Sequence, residues 1–230
     1  MDAAEFDKFA DEYYATHKDN IRASGEDPEF FAEYKVREVA ADLSRAQVEP
    51  PRTVLDLGGG VGASTVHLRN AFPAARLILA DVSRRSLEIA GGRGVPGLEI
   101  AHLDGETLPF RDGEIDLVFV ACVFHHVDHD RHAGMLNEIR RVLAPEGRFY
   151  LFEHNPWNPL TRKAVWECPF DENAVLISGR TMLDRVRKAG FGAARVSYRV
   201  FFPRALRSLR RFEPLLGFAP IGAQYFIAAR

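Results

Sequence analysis

The chain has 230 residues, of which 47% are hydrophobic and 27% are charged, so a disordered or fibrous protein is excluded. A formal net charge of −2 argues against a dedicated nucleic-acid-binding protein, and two cysteines are too few for a disulfide scaffold or a four-cysteine zinc site. No apolar run approaches the roughly 20 residues that cross a bilayer, and the acidic amino terminus differs from a secretion signal. We therefore expect a cytoplasmic protein that binds no nucleic acid and is not stably inserted in a membrane. The oligomeric state stays open.

The predicted elements begin with a helical segment and continue as an alternation of strands and helices. The first fifty residues are predicted to be helical, with a break at residues 24–28 where Asp27 is a candidate cap and Pro28 suits the first turn. Continuous apolar runs then indicate strands buried on both faces, and their alternation with helical patterns predicts a doubly wound, mostly parallel α/β sheet. The predicted strands are 53–57, 76–81, 98–102, 115–122 and 147–154, and the predicted helices are 63–71, 83–90 and 130–143.

The pattern becomes irregular after His154, and we interpret residues 156–180 as an insertion on the substrate side. A helix over 181–189 follows, and extended runs over 193–202 and 223–229 predict a closing hairpin. The chain is thus predicted to form a single domain, 1–230. Its parts are a helical cover (1–50), a cofactor-binding core (51–155), the insertion, and a C-terminal helix and hairpin (181–230).

A glycine-rich turn, residues 58–62, leads from the first predicted strand into a helix. Glycine lets the backbone approach a ligand closely, but no Lys-Ser or Lys-Thr pair follows, so a P-loop is excluded. A dinucleotide and a nucleoside without phosphate both fit, and Asp81 at the end of the second strand would bind the ribose of either. Asp56 discriminates between them, because a carboxylate beside the turn repels a pyrophosphate and attracts a cationic sulfonium nucleoside.

Four segments of the predicted core occur in a characteristic order and spacing. They are DLGGGVG at 56–62, LILADVS at 77–83, HLDGETLPFRDGEIDLVFV at 102–120 and LNEIRRVLAPEGRFYL at 136–151. Together these segments resemble the class I S-adenosylmethionine-dependent methyltransferase family over roughly residues 50–155. The resemblance implies a seven-stranded, Rossmann-like sheet whose last strand is antiparallel. It also implies S-adenosyl-L-methionine as methyl donor, S-adenosyl-L-homocysteine as product and a small molecule as methyl acceptor.

The resemblance implies cofactor-binding roles for individual positions. The glycine loop would contact the methionine and ribose, the end of the second strand the ribose and adenine, and the turn after the third strand the adenine amino group. The end of the fourth strand would line the methyl-transfer site, and an N-terminal tyrosine would cover the cofactor. In this sequence the residues are Asp56, Gly58, Gly60 and Gly62; Asp81 and Val82; Asp104, Gly105 and Glu106; Ala121 and Cys122; and Tyr14.

Four of the eight histidines fall in one short segment, 125–132. The pattern His-His-x-Asp-His resembles part of the metallo-β-lactamase ligand motif, but Phe124 stands where that motif has its first ligand, so we predict no metal site. His125 and His126 follow the fourth strand and His154 ends the fifth, so all three should face the cleft beyond the sheet. Each is a candidate to take a proton from an acceptor, because an imidazole titrates near neutral pH.

The favoured function is methyl transfer from S-adenosylmethionine to an oxygen or nitrogen atom of a small molecule. Two alternatives stay open: a metal-dependent hydrolase that uses the histidines of residues 125–132, and a non-catalytic subunit that binds S-adenosylmethionine.

Overall fold

The computed structural model describes Asp7, Ala10 and residues 13–103 and 107–230, and these contain one seven-stranded sheet. The strands are β1 (Thr53–Leu57), β2 (Arg76–Asp81), β3 (Leu98–His102), β4 (Ile115–Ala121), β5 (Leu143–His154), β6 (Arg195–Arg199) and β7 (Gln224–Ala229). Their order across the sheet is β3-β2-β1-β4-β5-β7-β6. Strands β1 to β5 pair in parallel, and β7 is antiparallel to both of its neighbours. The predicted seven-stranded, mostly parallel sheet is confirmed.

Helices cover both faces of the sheet. They are α1 (Tyr13–Asn20), α2 (Pro28–Arg45), α3 (Ala63–Ala71), α4 (Arg84–Gly92), α5 (His132–Val142), α6 (Pro159–Trp166), α7 (Gly179–Lys188) and α8 (Glu213–Leu216). Short 3₁₀ turns occupy Arg22–Ser24, Phe124–His126, Pro169–Asp171 and Arg204–Phe212. Across the described ranges, no helix combines the length and apolar character that crossing a membrane requires.

Two hydrophobic clusters form the core, one on each face of the sheet. In β1, Val54 packs in the cluster that contains Leu68 of α3, whereas Leu55 packs in the cluster that contains Leu136 of α5 and Met182 of α7. Successive side chains of a strand point to opposite faces, so a strand with helices on both sides is apolar at most positions. This two-sided burial is why the strands were visible as continuous apolar runs.

The strand order reverses between β1 and β4. From β1 the chain builds β2 and β3 on one side, then returns to add β4 and β5 on the other. In open α/β sheets the crevice at such a switch point, beyond the carboxyl ends of the strands, is where ligands bind. The turn at residues 58–62 and the turn Phe124–His126 lie at this edge.

Several element boundaries differ from the sequence predictions, by one to four residues. Helix α5 begins at His132, after the predicted start at residue 130, with Arg131 at its N-cap. Strand β5 begins at Leu143, before the predicted start at residue 147, because Leu143 already pairs with Ile115 and the register shifts before the next pair. Strand β6 ends at Arg199, before the predicted end at residue 202, because Val200 has a left-handed φ of 62°.

Candidate active site

The glycine loop forms one wall of a cleft at the switch point. Gly58 has φ +70°, and a Cβ there would lie 2.5 Å from Cγ2 of Val123. Gly60 has φ +52°, and a Cβ there would meet no atom within 4 Å, because the residue faces the open cleft. The loop therefore requires glycine at 58 for packing and leaves Gly60 exposed to a ligand. Gly62 lies behind the cleft lining, where a Cβ would contact Ala90.

Asp81 holds the loop and lines the cleft. Its Oδ2 accepts the backbone N–H of Gly60 at 2.8 Å, and its Oδ1 accepts that of Ser83 at 2.8 Å. Burial raises the pKa of the Asp81 carboxyl, against these hydrogen bonds, which lower it. Both oxygens keep further lone pairs, so the carboxylate can also accept hydrogen bonds from a bound diol. Val82, the next residue, lies outside the cleft lining and packs against the core.

Asp56 is a second carboxylate beneath the loop. It is 2% exposed, and its Oδ2 accepts the hydroxyl of Thr65 at 2.6 Å. Burial, with Asp81 adding to it, raises the pKa of Asp56 to about 7. A cation bound in the cleft would favour the ionised forms of both carboxylates, whereas a pyrophosphate would oppose them. The electrostatic selection expected from the sequence stays a prediction, which depends on the ionised forms of these two carboxylates.

The end of β4 carries a thiol beside an ammonium group. Cys122 lines the cleft with Ala121, and the Lys35 Nζ of α2 lies 3.6 Å from its Sγ. Burial alone would raise the pKa of the Cys122 thiol, but Lys35 and His154 outweigh it and lower that pKa to about 7. The sequence prediction did not include Lys35, because a single lysine in an amphipathic helix is expected to be a surface residue.

His125 lies between two carboxylates. Its Nδ1 bonds Oε2 of Glu153 at 2.5 Å, and its Nε2 lies 3.5 Å from Oδ1 of Asp171. Glu153 is fixed in turn by the backbone N–H groups of Val123 and Phe124, at 3.1 and 2.7 Å. Burial would lower the pKa of His125, but the two carboxylates hold it well above its usual value. With Nδ1 bonded to Glu153 and Nε2 facing Asp171, the geometry opposes the expected role of His125 as a free proton acceptor.

The insertion contributes Asp171 to the cleft, from the turn that follows α6. Its Oδ1 lies 3.3 Å from Nε2 of His126, and His154 lies in the same lining. These contacts hold the pKa of Asp171 well below its usual range, although burial acts in the opposite direction. The sequence prediction missed Asp171, because nothing local in the insertion distinguishes it from a solvated acid.

The other histidines of residues 125–132 lie elsewhere. His132 Nδ1 contacts Nη1 of Arg185 at 2.6 Å, and its Nε2 contacts the carbonyl oxygens of Phe124 and Val127. His129 faces the same arginine at 3.3 Å. Because the segment is divided in this way, it does not form the contiguous metal-ligand motif that the hydrolase alternative requires.

The remaining predicted residues fall at the mouth of the cleft or outside the described ranges. Tyr14 lines the mouth and is 52% exposed. Asp104, Gly105 and Glu106 lie outside the described residues, so their contact with adenine stays a prediction.

The fold is that of the class I S-adenosylmethionine-dependent methyltransferases. It has their strand order, their glycine loop and their acidic residue at the end of β2. A S-adenosylmethionine-dependent methyltransferase from Thermotoga maritima superposes with a TM-score of 0.67 at 21% identity, covering 98% of each chain. Another from Aquifex aeolicus gives a TM-score of 0.63 at 16% identity, covering 100% of this chain and 98% of that one. These likenesses concern the fold alone.

Residues 55–151 match the methyltransferase domain family. The demethylmenaquinone methyltransferase of Thermus thermophilus is 35% identical over 131 residues, which are 55% of this chain and 57% of that protein. The ubiquinone/menaquinone biosynthesis C-methyltransferase UbiE of Ectopseudomonas mendocina is 35% identical over 123 residues, 50% of this chain and 47% of that protein. The chain thus spans about half the length of the curated relatives it matches. The resemblance recognised in the sequence is confirmed: residues 55–151 match a methyltransferase domain, and the fold is that of solved S-adenosylmethionine-dependent methyltransferases.

Proposed function

We propose that this protein transfers a methyl group from S-adenosylmethionine to an oxygen or nitrogen atom of a small-molecule acceptor. One observation carries the proposal: the glycine loop and Asp81 share a single cleft with His126, His154 and Asp171. The first group suits a nucleoside, and the second can bind and deprotonate a polar acceptor. The ends of β4 and β5 bring the two groups together.

The donor side of the cleft is built to hold a cationic nucleoside. Asp81 is fixed by two backbone N–H groups and offers its remaining lone pairs to the ribose hydroxyls. Gly60 leaves space against the cleft, and a cation bound there would favour the ionised form of Asp56 beneath it. When bound, S-adenosylmethionine supplies an electrophilic methyl group on a sulfonium. Binding in one orientation lowers the barrier by several kcal/mol, because reacting atoms held close together need no further ordering.

The acceptor side provides groups that can take a proton. A hydroxyl or amine that gains a methyl group must lose a proton, and a histidine with a pKa near neutrality can accept it. His126 lies 3.3 Å from the Asp171 carboxylate, which would stabilise the imidazolium that forms. His154 is paired with Cys122, which raises the pKa of this histidine against the effect of burial. We assign the proton acceptor to one of these two residues.

A carbon acceptor is the second candidate. It is favoured by the similarity to relatives that are named C-methyltransferases of quinone biosynthesis. Removing a proton from a ring hydroxyl places negative charge on the neighbouring ring carbon as well as on the oxygen. The same histidines would therefore serve either acceptor.

The test uses purified protein and S-adenosylmethionine that carries a carbon-13 methyl group. Phenols, catechols, hydroquinones and amines are screened as acceptors, and S-adenosylhomocysteine release is measured by mass spectrometry. The carbon-13 chemical shift of the product separates O-, N- and C-methylation. Turnover on an oxygen or nitrogen acceptor supports the proposal. Cofactor binding without turnover on any acceptor favours the non-catalytic subunit, and no binding at millimolar S-adenosylhomocysteine contradicts the proposal altogether.

Variants test the histidines. We expect His126→Ala and His154→Ala to lower turnover, by roughly 10²- to 10⁴-fold for the residue that takes the proton, while the affinity for S-adenosylhomocysteine stays nearly unchanged. His129→Ala is the matched control, because His129 lies in the same histidine-rich segment but contacts Arg185 outside the cleft. Equal loss of turnover and cofactor affinity in a variant would mean that its histidine is structural.

A further inference from the structure

Three potential metal ligands converge in the cleft. His125, His126 and Asp171 each offer one ligand atom, and these atoms all lie within 4.8 Å of one another. The histidines come from the turn after β4, and the aspartate comes from the turn after α6. Two separate parts of the chain therefore meet at this point, and neither part alone contains the set.

The two distances from Asp171 match the ligand separations of a tetrahedral ion better than those of a hydrogen bond between charged groups. Oδ1 of Asp171 lies 3.5 Å from His125 Nε2 and 3.3 Å from His126 Nε2. Hydrogen bonds between charged partners are shorter, about 2.7–2.9 Å. Ligands of tetrahedral zinc at about 2.0–2.1 Å are separated by about 1.63 bond lengths, or about 3.3–3.4 Å. Adjacent ligands of an octahedral ion at the same bond length would be only about 3.0 Å apart.

The surroundings of His125 are those of a metal ligand held by a second carboxylate. Glu153 bonds Nδ1 of His125 and is itself held by the backbone N–H groups of Val123 and Phe124. A carboxylate on one ring nitrogen fixes the ring and leaves the other nitrogen as the ligand. The side chains of His125 and Glu153 are 1% and 2% exposed, so this orientation is fixed by packing.

We propose that His125, His126 and Asp171 bind one zinc ion whose fourth position opens into the cleft. Three protein ligands and one open position are the usual arrangement of a catalytic zinc site. This site differs from the hydrolase motif considered from the sequence, since His129 and His132 take no part and the third ligand comes from the insertion.

Its chemical role rests on the proposed function. Zinc would bind the acceptor oxygen and make its hydroxyl more acidic. The O–H bond breaks and its proton passes to His154; the oxygen then forms a bond to the methyl carbon as the carbon–sulfur bond breaks, and the sulfonium becomes a neutral thioether. With His126 bound to zinc, His154 is the residue left to accept the proton.

The experiment measures zinc binding by the full chain. Protein freed of metal with a chelator is titrated with zinc sulfate in competition with a chromophoric chelator, and the metal retained after dialysis is counted by mass spectrometry. We expect one zinc per chain, with at least about tenfold weaker binding in His126→Ala and Asp171→Asn. His129→Ala should bind zinc like the unmodified chain. Absence of retained zinc, or unchanged affinity in Asp171→Asn, would overturn the proposal.

Three further measurements make the outcome unambiguous. Circular dichroism shows whether each variant folds, and the near-isosteric Asp171→Asn carries the test if His126→Ala does not. Calorimetric binding of S-adenosylhomocysteine to metal-free protein tests the proposed function separately. Cofactor binding without zinc binding refutes only the metal site, whereas zinc binding without cofactor binding refutes only the methyl-transfer function. Cobalt substitution adds a spectroscopic check, since tetrahedral cobalt absorbs far more strongly than octahedral cobalt.

Discussion

Replacing Asp81 by asparagine tests the donor side of the cleft. The carboxylate accepts one backbone N–H on each oxygen, from Gly60 and from Ser83. Asparagine has nearly the same shape but only one oxygen, so its NH₂ group must face one of these donors. The variant therefore loses the negative charge, one bond to the loop, and an acceptor for the ribose hydroxyls.

The expected decrease in cofactor affinity follows from those losses. A hydrogen bond to a charged group contributes about 1.5–3 kcal/mol. Since about 1.4 kcal/mol corresponds to a tenfold change in Kd, we expect Asp81→Asn to bind S-adenosylhomocysteine about tenfold to 100-fold more weakly. Its free energy of unfolding should also fall by about 1–3 kcal/mol, because a backbone N–H near the cleft loses its acceptor.

The assay is isothermal titration calorimetry with S-adenosylhomocysteine, together with urea unfolding. Asp116→Asn is the matched control, because Asp116 also accepts two backbone N–H groups, those of Arg52 and Thr53 at 2.9 Å, at the opposite edge of the sheet. Its loss should leave cofactor affinity unchanged. A folded Asp81→Asn protein whose affinity stays within about threefold of the unmodified chain would refute the ribose role.

Two more predictions concern the loop and the buried carboxylate beneath it. Gly58→Ala should lower the free energy of unfolding by about 2–5 kcal/mol, from overpacking and left-handed strain, and Gly60→Ala by only about 1–2 kcal/mol while still weakening cofactor binding. Comparable denaturation midpoints for these two variants would contradict the predicted difference in stability. Because the pKa of Asp56 is raised to about 7, the native chain without cofactor holds this proton between about pH 4 and 7, whereas the unfolded chain does not. Stability should therefore fall as pH rises through that window, and Asp56→Asn should flatten the slope in urea midpoints.

The first strands of the sheet were predictable because the sequence pattern that specifies each of them is local. The bounds of β1, β2 and β3 coincide with the predicted runs, since each strand is a short apolar segment between turn residues. Boundaries failed where tertiary contacts decide them. The start of β5 depends on pairing with β4, and the end of β6 depends on the left-handed conformation of Val200.

The cleft was only half predictable. The glycine loop and Asp81 were found because their positions in the strand-turn-helix unit already place them at the carboxyl ends of the strands, where ligands bind. Three residues were not assigned to the site, because the role of each depends on a partner that is distant in the chain. They are Lys35, Glu153 and Asp171, whose partners are Cys122, His125 and His126 respectively. A single sequence gives no signal for such pairings, whereas it does show which strand ends meet.

The position of β7 has a consequence for how the molecule is synthesised. This strand lies between β5 and β6, so β6, although made earlier by the ribosome, has no pairing partner in the sheet until residues 224–229 emerge. Gln224, at the start of β7, also accepts the hydroxyl of Tyr34 in α2. Pairing across such long sequence separation slows folding. A nascent chain that stops short of β7 would therefore expose two unpaired strand edges, and a premature stop there should send the product to aggregation or proteolysis.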